Sequence, residues 1–190
     1  WFGWFGFNAG SAFSAGADAV LAFANTNLAS ATAMITWIFF DRYRDRKMSA
    51  EGACIGAVVG LVAITPAAGF VSLGDSVLIG FVASLVSNLA IDRFHKSGRI
   101  DDTLDVFASH GIGGLVGMLL TGALAADVGL TSGEVETFGK HVAALVFVAI
   151  GAFGLSYSLF AIVNSLIPMR VTSKQEERGL DDSQHGEQVK

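Results

Sequence analysis

The sequence contains little cysteine, proline or charge, the features typical of disulfide-bonded, disordered and water-soluble domains respectively. Its single cysteine, Cys54, excludes an internal disulfide framework and lies in an apolar run, where we interpret it as a small packing residue. Only 2 prolines accompany 23 glycines, a combination that disfavours disorder and suits closely packed membrane helices. Charged residues make up 15 % of the chain, well below the roughly 25 % that is usual in soluble domains.

Several chemical signatures are also missing from the sequence. It contains no Ser/His/Asp arrangement, no phosphate-binding loop and no cluster of metal-ligating residues, so we predict that the protein is not an enzyme and needs no cofactor or metal. A basic stripe of the nucleic-acid-binding type is absent as well. The chain starts at Trp1 in an apolar stretch without a basic region or cleavage site, which argues against a signal peptide. We interpret this start as the middle of a helix and expect the chain to be the C-terminal part of a longer one.

What the chain does have is a series of long apolar stretches. Apolar residues make up 52 % of the sequence, and its mean hydropathy is +0.56. A helix that spans a bilayer needs about 20 mostly apolar residues. Six segments reach or approach that length, and the first begins at the start of the chain: Trp1–Ala12, Ala17–Phe40, Ala50–Ile64, Ser76–Ile91, Asp105–Ala125 and Gly139–Pro168. We therefore predict an all-α, polytopic transmembrane helix bundle over residues 1–170, followed by a polar tail over 171–190.

A cluster of basic residues follows every second apolar segment. If each segment crosses the membrane, nearly all Lys and Arg residues fall on one side, and only Lys140 lies opposite. Because Lys and Arg are retained in the cytoplasm during insertion, this asymmetry places the basic loops and the tail inside the cell. The basic residues concerned are Arg42, Arg44, Arg46, Lys47, Arg93, Lys96, Arg99, Arg170, Lys174, Arg178 and Lys190.

Pairs of glycines recur four residues apart within the apolar segments. Small residues at this spacing let two helix backbones approach each other in lipid. We expect the pairs to pack helices against one another. They are Gly6 with Gly10, Gly56 with Gly60, and Gly113 with Gly117.

His110 is the most informative single residue, because an ionisable side chain within a membrane segment indicates function. The alternative is a histidine hydrogen-bonded between packed helices. Gly111, Gly113 and Gly114 leave space beside the imidazole, which in its neutral form offers one donor and one acceptor. Asp105 lies five residues earlier, off the face of His110, and we interpret it as a cap or an inter-helix acceptor. Asp101 and Asp102 precede the helix and can cap it, and we expect His95 to be solvated in a basic loop.

The first segment and the tail each allow two interpretations. Trp4, Phe7 and Ser11 share one helical face, which fits either an interfacial aromatic belt or a mouth where an aromatic ring and a hydroxyl meet a small cation. The tail has a disordered composition, yet Gly179 and Gly186 mark turns and Leu180 offers one anchor. A short ordered docking segment is therefore also compatible with it.

Four stretches in order resemble the ammonium transporter (Amt/Mep/Rh) family, and its bacterial branch in particular. They are WFGFNAGS at 4–11, GLVAITPAAG at 60–69, DD at 101–102 followed by DVF at 105–107 with His110-Gly111, and ERGLD at 177–181 with HGE at 185–187. The resemblance covers essentially the whole chain. It implies eleven spans, built from two inverted five-helix repeats plus a long last helix, and a homotrimer in the cell membrane. This chain then corresponds to the second repeat, the last helix and a cytoplasmic tail.

The resemblance also implies roles for single residues. Trp4 and Ser11 match the outer site that recruits ammonium, and Phe7 matches one of two stacked phenylalanines that gate the pore. His110 matches the second of a pair of pore histidines, and Asp105 matches an acidic residue that supports the pore. The tail residues Gly179, Leu180, Asp181, His185, Gly186 and Glu187 match the segment that meets a PII-type signalling protein.

The function implied is transport of ammonium or ammonia across the cytoplasmic membrane, among membrane lipids. The partner histidine and the first gate phenylalanine belong to the spans that this chain lacks, so we expect the chain alone to conduct nothing. Two alternatives remain. One is an ammonium sensor or docking protein that signals through a PII-type partner, and the other is an Rh-type gas channel, against which the bacterial-style tail argues.

Overall fold

The computed structural model describes residues 1–98 and 102–187, and within these ranges all regular structure is helical. The described residues form seven α-helices: α1 Phe2–Gly10, α2 Ala17–Tyr43, α3 Ala50–Ile64, α4 Leu73–Ser97, α5 Gly113–Leu124, α6 Val135–Leu166 and α7 Ser173–Arg178. A π-helical turn, Phe107–Ile112, runs directly into α5, a 3-10 turn covers Leu130–Ser132, and a second π-helical turn covers Asp181–His185. The predicted all-α class is confirmed, while Arg99, Asp101 and Lys190 lie outside the described residues.

In the part of the chain that the structure describes, four helical stretches are long and apolar enough to cross a membrane: α2, α4, Phe107–Leu124 and α6. α6 has 32 residues, about 48 Å at 1.5 Å per residue, which exceeds the hydrocarbon thickness of roughly 30 Å. α1 and α3 are shorter, with 9 and 15 residues. The bounds of α3 agree with the sequence prediction: Ser49 caps its N-terminus by accepting from Gly52 N–H at 2.9 Å, and the helix stops just before Thr65-Pro66.

α4 is longer than the sequence predicts at both ends. The prediction starts at Ser76, but Ser72 and Asp75 form a reciprocal capping box that begins the helix at Leu73. The prediction ends at Ile91, but the helix continues to Ser97 and stops at Gly98, which has a left-handed φ of +60°. The polar residues after Ile91 therefore belong to the helix. His95 lies in its last turn, so the expectation of a loop position was wrong.

Helices α2, α3 and α4 pack around Ala29, a fully buried residue of α2. A methyl group added at Gly60 of α3 would lie 2.5 Å from the Ala29 carbonyl oxygen, and one added at Gly80 of α4 would lie 2.4 Å from the same oxygen. Gly56 is equally confined, at 2.6 Å from Trp37 Cβ. The glycines therefore set the spacing of the three helices, as small residues do in membrane bundles.

The glycine pairs predicted from spacing have different outcomes. Gly56, Gly60 and Gly117 are confirmed as close-packing positions, and Gly117 abuts the Ala63 backbone of α3. Gly113 has only ordinary contacts, the nearest at 3.6 Å. For Gly6 and Gly10 the prediction was wrong, since nothing in the described part of the chain lies within 4 Å of an added Cβ. These two glycines face open space on α1.

Contacts divide the chain into two compact units, Trp1–Leu145 and Val146–Lys190. The first contains the α2–α3–α4 core together with α1, α5 and the turns between them. The second consists of the C-terminal part of α6 and the tail. No residue of α6 is buried, although the helix is strongly apolar.

Replacing Gly60 by Ala should destabilise the bundle, because the added methyl group must push α3 away from Ala29. We expect a loss of about 1–3 kcal/mol in unfolding free energy, measured by thermal unfolding of the purified protein in detergent. The matched control is Gly6→Ala, where the methyl group meets nothing and the gain in helix propensity leaves stability unchanged or slightly higher. Equal stability of the two variants would contradict the packing described for Gly60.

Candidate functional site

A cavity of about 360 Å³ opens between the C-terminal end of α1, the start of α2 and the turn after α3. Its lining combines aromatic rings, small residues and a few polar groups: Phe7, Asn8, Ser11, Ala12, Asp18, Ala22, Thr65, Ala68, Gly69 and Phe70. Phe7 is 60 % exposed and presents its ring to this space. Two of the three residues predicted to share a face of the first helix, Phe7 and Ser11, therefore line one cavity.

Trp4 lies behind this lining and is held by two contacts. Its indole Nε1–H donates to Thr65 Oγ1 at 2.8 Å, and its ring meets Phe7 edge to face with centroids 6.0 Å apart. The Thr65 hydroxyl in turn donates to the Leu61 carbonyl at 2.7 Å. The hydrogen bond to Thr65, which directly follows α3, thus fixes the orientation of Trp4, although the two residues are 61 positions apart in the sequence.

Ser11 presents an acceptor to the cavity. Its hydroxyl donates to the Phe7 carbonyl oxygen at 2.6 Å, one turn back along the helix. A hydroxyl has one proton and two lone pairs, so a proton committed to the backbone leaves the lone pairs of the oxygen free to accept. An aromatic ring and a hydroxyl acceptor side by side suit a small cation that carries N–H groups.

The position of α1 and of the turn after α3 depends on two buried polar residues of α2. Asn8 Nδ2 donates to Thr26 Oγ1 at 2.9 Å, which joins α1 to α2. Asn25 Nδ2 donates to the carbonyl oxygens of Ala68 and Val71 at 2.8 and 2.9 Å, which holds the turn that follows Thr65. Asn25 thus joins α2 to the segment between α3 and α4.

His110 lies in the π-helical turn Phe107–Ile112, and its side chain is exposed. The turn is held at its start by Asp102, whose carboxylate accepts the N–H groups of Val106 and Phe107 at 2.9 and 2.7 Å. The capping role predicted for Asp102 is therefore confirmed. A larger residue at position 111 would displace the Phe107 ring, because a Cβ there would lie 2.9 Å from it.

Asp105 connects this turn to α4. It has a left-handed φ of +53°, and its carboxylate Oδ1 lies 2.7 Å from His95 Nε2. This contact agrees with the sequence interpretation of Asp105 as an inter-helix acceptor. The carboxylate is 13 % exposed, while the His95 side chain is 60 % exposed. The contact brings the last turn of α4 against the residues that precede His110.

The predicted site residues of the membrane segment thus form two groups. Trp4, Phe7 and Ser11 lie together on α1 and at its C-terminal end, while Asp105 and His110 lie together at the start of the α5 region. Within residues 1–98 and 102–187, no hydrogen bond or ring contact joins one group to the other.

Sequence reasoning missed the ionic cluster at the other end of α2. Arg44 and Arg46 both pair with Asp92 of α4, and Asn88 Nδ2 donates to Asp41 Oδ1 at 3.0 Å. The sequence contained a usable signal, because Asn88 and Asp92 are four residues apart on one face of α4 and interrupt an apolar helix. Thr65, the partner of Trp4, was also missed as a site residue.

The tail has local order. Arg170 pairs with Glu176 at 2.9 Å, and the Ser183 hydroxyl donates to the Gln175 carbonyl at 3.2 Å. Gly179 and Gly186 have φ values of +96° and +68°, so the turns predicted at both are confirmed. The pairing with Asp182 raises the pKa of the Arg178 guanidinium. Leu180, Asp181, His185 and Glu187 lie at or beside the π-helical turn, and Leu180 is 52 % exposed.

Asp102→Ala should loosen the turn that holds His110, since two backbone N–H groups lose their acceptor. Loss of a cap of this kind costs about 1–2 kcal/mol, so amide exchange of residues 105–112 should accelerate roughly tenfold, as followed by hydrogen–deuterium exchange and mass spectrometry. Thr103→Ala, at an exposed neighbouring position without a described side-chain bond, serves as the control. Unchanged exchange in the Asp102 variant would show that the cap does not stabilise the turn.

Comparison with known proteins gives a consistent result. The model of the Ammonium Transporter Family matches residues 1–190. The chain is 39 % identical over 197 residues to the ammonium transporter of Bacillus subtilis, covering 100 % of this chain and 48 % of that protein. It is 42 % identical over 194 residues to the ammonium transporter of Aquifex aeolicus, covering 100 % and 46 %. The chain therefore spans about half the length of the curated relatives it matches.

Solved structures show the same similarity in three dimensions. Candida albicans Mep2 superposes with a TM-score of 0.85 at 36 % identity, covering 92 % of this chain and 41 % of that one. A structure described as a sensor Amt protein superposes with a TM-score of 0.88 at 29 % identity, covering 97 % and 46 %. The helical bundle described above is thus the fold of the Amt/Mep structures.

Proposed function

This chain belongs to the Ammonium Transporter Family, and we propose that it forms part of a path that carries ammonium or ammonia across the cytoplasmic membrane. The family match along residues 1–190 is the observation that carries this proposal. The geometry of the cavity beside α1 supports it, because the Ser11 hydroxyl oxygen keeps free lone pairs and the Phe7 ring in the lining is exposed. We further propose that the basic ends of the bundle and the tail lie in the cytoplasm.

Ammonium would enter at the cavity beside α1. A small cation loses much of its hydration energy on approaching hydrocarbon, so an entrance must supply replacement contacts. The Ser11 oxygen, with its proton committed to the Phe7 carbonyl, would accept an N–H of the ion. Trp4 does not itself line the cavity. As part of the recruitment site it would hold the Phe7 ring, through their edge-to-face contact, where that ring attracts the cation. Phe7 would then act as the gate that closes the path to water.

Deeper in the path we assign His110 to the pore. A neutral imidazole can both accept from and donate to a small polar solute, so it can pass ammonia onward without presenting a fixed charge. Asp105 would support this position through its contact with His95, which holds the residues before the turn. The exposure of the His110 side chain in this chain leaves room for a partner group on its open side.

That open side supports a proposal about the complete pore. The relatives are about twice as long, and Phe7 and His110 are both exposed. We propose that this chain supplies one half of the conducting path and that residues of an N-terminal half supply a second histidine and a second gate phenylalanine. The exposed apolar surface of α6 would face lipid and neighbouring subunits of a homotrimer.

Uptake of labelled methylammonium into proteoliposomes tests the transport proposal. We expect no uptake by the chain alone and measurable uptake when the chain is fused to the preceding half of the Bacillus subtilis relative. In the fusion, His110→Ala should reduce the rate, and Ser11→Ala should raise KM about tenfold, the effect of one hydrogen bond to a cation. The controls are His141→Ala in α6 and Ser14→Ala in the loop after α1.

Two outcomes of this experiment would count against the proposal. Strong uptake by the chain alone would exclude a half-pore. A fusion that transports methylammonium equally well with and without the His110 imidazole would remove the pore role assigned to that residue.

A second candidate function is ammonium sensing through a PII-type partner at the cytoplasmic face. The observation that favours it is the local order of the tail, together with similarity to a structure described as a sensor Amt protein. In this proposal Gly179, Leu180, Asp181, His185, Gly186 and Glu187 form the docking segment. The Arg178–Asp182 pair would fix the shape of that segment.

Gly179→Ala tests the docking role, since Gly179 has φ +96° and ψ 141°, a region that only glycine enters easily. Strain of about 1–3 kcal/mol should distort the segment and weaken binding of a purified PII-type protein roughly tenfold, measured by surface plasmon resonance. Gly133→Ala, at φ +90° in the loop before α6, is the matched control. No binding by the unmodified chain, or equal binding by both variants, would contradict the docking proposal.

A further inference from the structure

One residue of the cavity beside α1 has no role in the path proposed above. Among the described residues that line this cavity, only Asp18 carries a charge. It belongs to the first turn of α2 and is exposed. Within residues 1–98 and 102–187, its carboxylate has no ion pair or hydrogen bond. A carboxylate without a protein partner therefore shares one cavity with the Phe7 ring and the Ser11 hydroxyl.

The hydroxyl groups of the cavity use their protons within the protein. Ser11 donates to the Phe7 carbonyl oxygen at 2.6 Å, and Thr65 donates to the Leu61 carbonyl oxygen at 2.7 Å. The described lining therefore has no hydroxyl proton left for an anion. It offers acceptor oxygens and one negative charge, a combination that favours a cation with N–H donors.

No basic side chain of the described lining neutralises Asp18. Lys140 is the single Lys or Arg that the sequence places on the side opposite the basic loops, and its ammonium group lies 2.6 Å from Glu136. The charge of Asp18 is therefore available to solutes in the cavity. A charge attracts over several ångströms of water, up to a Debye length of about 8 Å at physiological salt. The hydroxyl and the ring act only on an ion that has already arrived.

We propose that Asp18 determines the charge specificity of this entrance. Its carboxylate draws the cation from solution into the cavity before Ser11 and Phe7 contact it. A neutral amine gains nothing from that charge, and an anion is repelled. The first-turn position stabilises the carboxylate through the N-terminal dipole of α2, so no basic partner is required to hold it there. This inference rests on the transport function proposed above and adds a residue that selects the charged form of the solute.

Thiol reagents of opposite charge test the electrostatic part on the chain itself, without transport. In a Cys54→Ser background, Ala12→Cys places a thiol in the lining of the cavity. We compare its reaction rates with a trimethylammonium-ethyl and a sulfonatoethyl methanethiosulfonate. The ratio of the cationic to the anionic rate should fall about three- to tenfold in Asp18→Asn, since one nearby negative charge is removed. At about 1 M salt the difference should shrink, because the Debye length falls to about 3 Å.

Two variants are the controls for the rate ratio. Asp127→Asn removes a charge from an exposed position in the loop after α5, outside the cavity, and should leave the ratio unchanged. Asp18→Glu keeps the charge and should keep the ratio.

Uptake of methylammonium by the fusion with the preceding half of the Bacillus subtilis relative tests the recruiting role. At low ionic strength, Asp18→Asn should raise KM about three- to tenfold and leave kcat within about twofold, because the charge acts on the approach of the ion. The increase should become smaller at high ionic strength. Asp18→Glu should restore KM, and Asp127→Asn should leave it unchanged.

Each part of the proposal has a contrary result. An unchanged rate ratio in Asp18→Asn would show that the carboxylate does not set the potential of the cavity. A lower ratio with an unchanged KM would leave Asp18 as a structural residue of α2. A rise in KM that is independent of salt, or equal in Asp127→Asn, would also contradict the recruiting role. Absence of uptake by every version of the fusion would instead overturn the transport proposal on which this one rests.

Discussion

The structure depends on one constraint, the high cost of leaving an ionised or unbonded polar group in the hydrocarbon of a bilayer. The charged residues of α2 and α4 accordingly lie at the helix ends, where Asp92 is shared by Arg44 and Arg46. Two hydroxyl groups buried in the bundle bond to backbone carbonyls of a neighbouring helix. Ser30 donates to Ala57 O at 3.0 Å, and Ser84 donates to Ala33 O at 2.9 Å.

The candidate entrance is positioned by α2, which lies at the centre of the core. Close contact of Gly60 and Gly80 with Ala29 fixes α3 and α4 against it. Its Thr26 holds α1 through Asn8, and its Asn25 holds the turn after α3. That turn begins at Thr65, which orients Trp4. A few buried polar contacts on one helix therefore place the aromatic and hydroxyl groups of the cavity.

Much of this fold could be predicted from the sequence, because membrane segments are long and their signals are strong. The bounds of α3 agreed with prediction, since Ser49 and Thr65-Pro66 are local signals. α4 was predicted too short because its apolar run ends at Ile91. The hydrogen-bonded helix continues through charged residues that reach the headgroup region. The glycine pair Gly6–Gly10 was misjudged because spacing alone cannot tell which face of a helix meets a neighbour.

For the candidate site, the sequence allowed single residues to be proposed but not the contacts between them. Trp4, Phe7, Ser11 and His110 were identified from motifs, whereas the Trp4–Thr65 bond joins residues 61 positions apart, and local patterns do not encode such pairs. The sequence did not predict the π-helical turn that carries His110, because no residue pattern around it distinguishes a π-helical from an α-helical turn. The ionic cluster at Asp92 was missed because its arginines were treated only as indicators of orientation.

The sidedness of the bundle is the most direct test of this account. In a Cys54→Ser background, single cysteines would replace Lys47 in the basic turn after α2 and Val128 in the acidic loop after α5, and intact cells would be treated with a membrane-impermeant maleimide. The account predicts labelling at position 128 in intact cells and at position 47 only after the membrane is permeabilised. Labelling of position 47 in intact cells would contradict the orientation and, with it, the path assigned to ammonium.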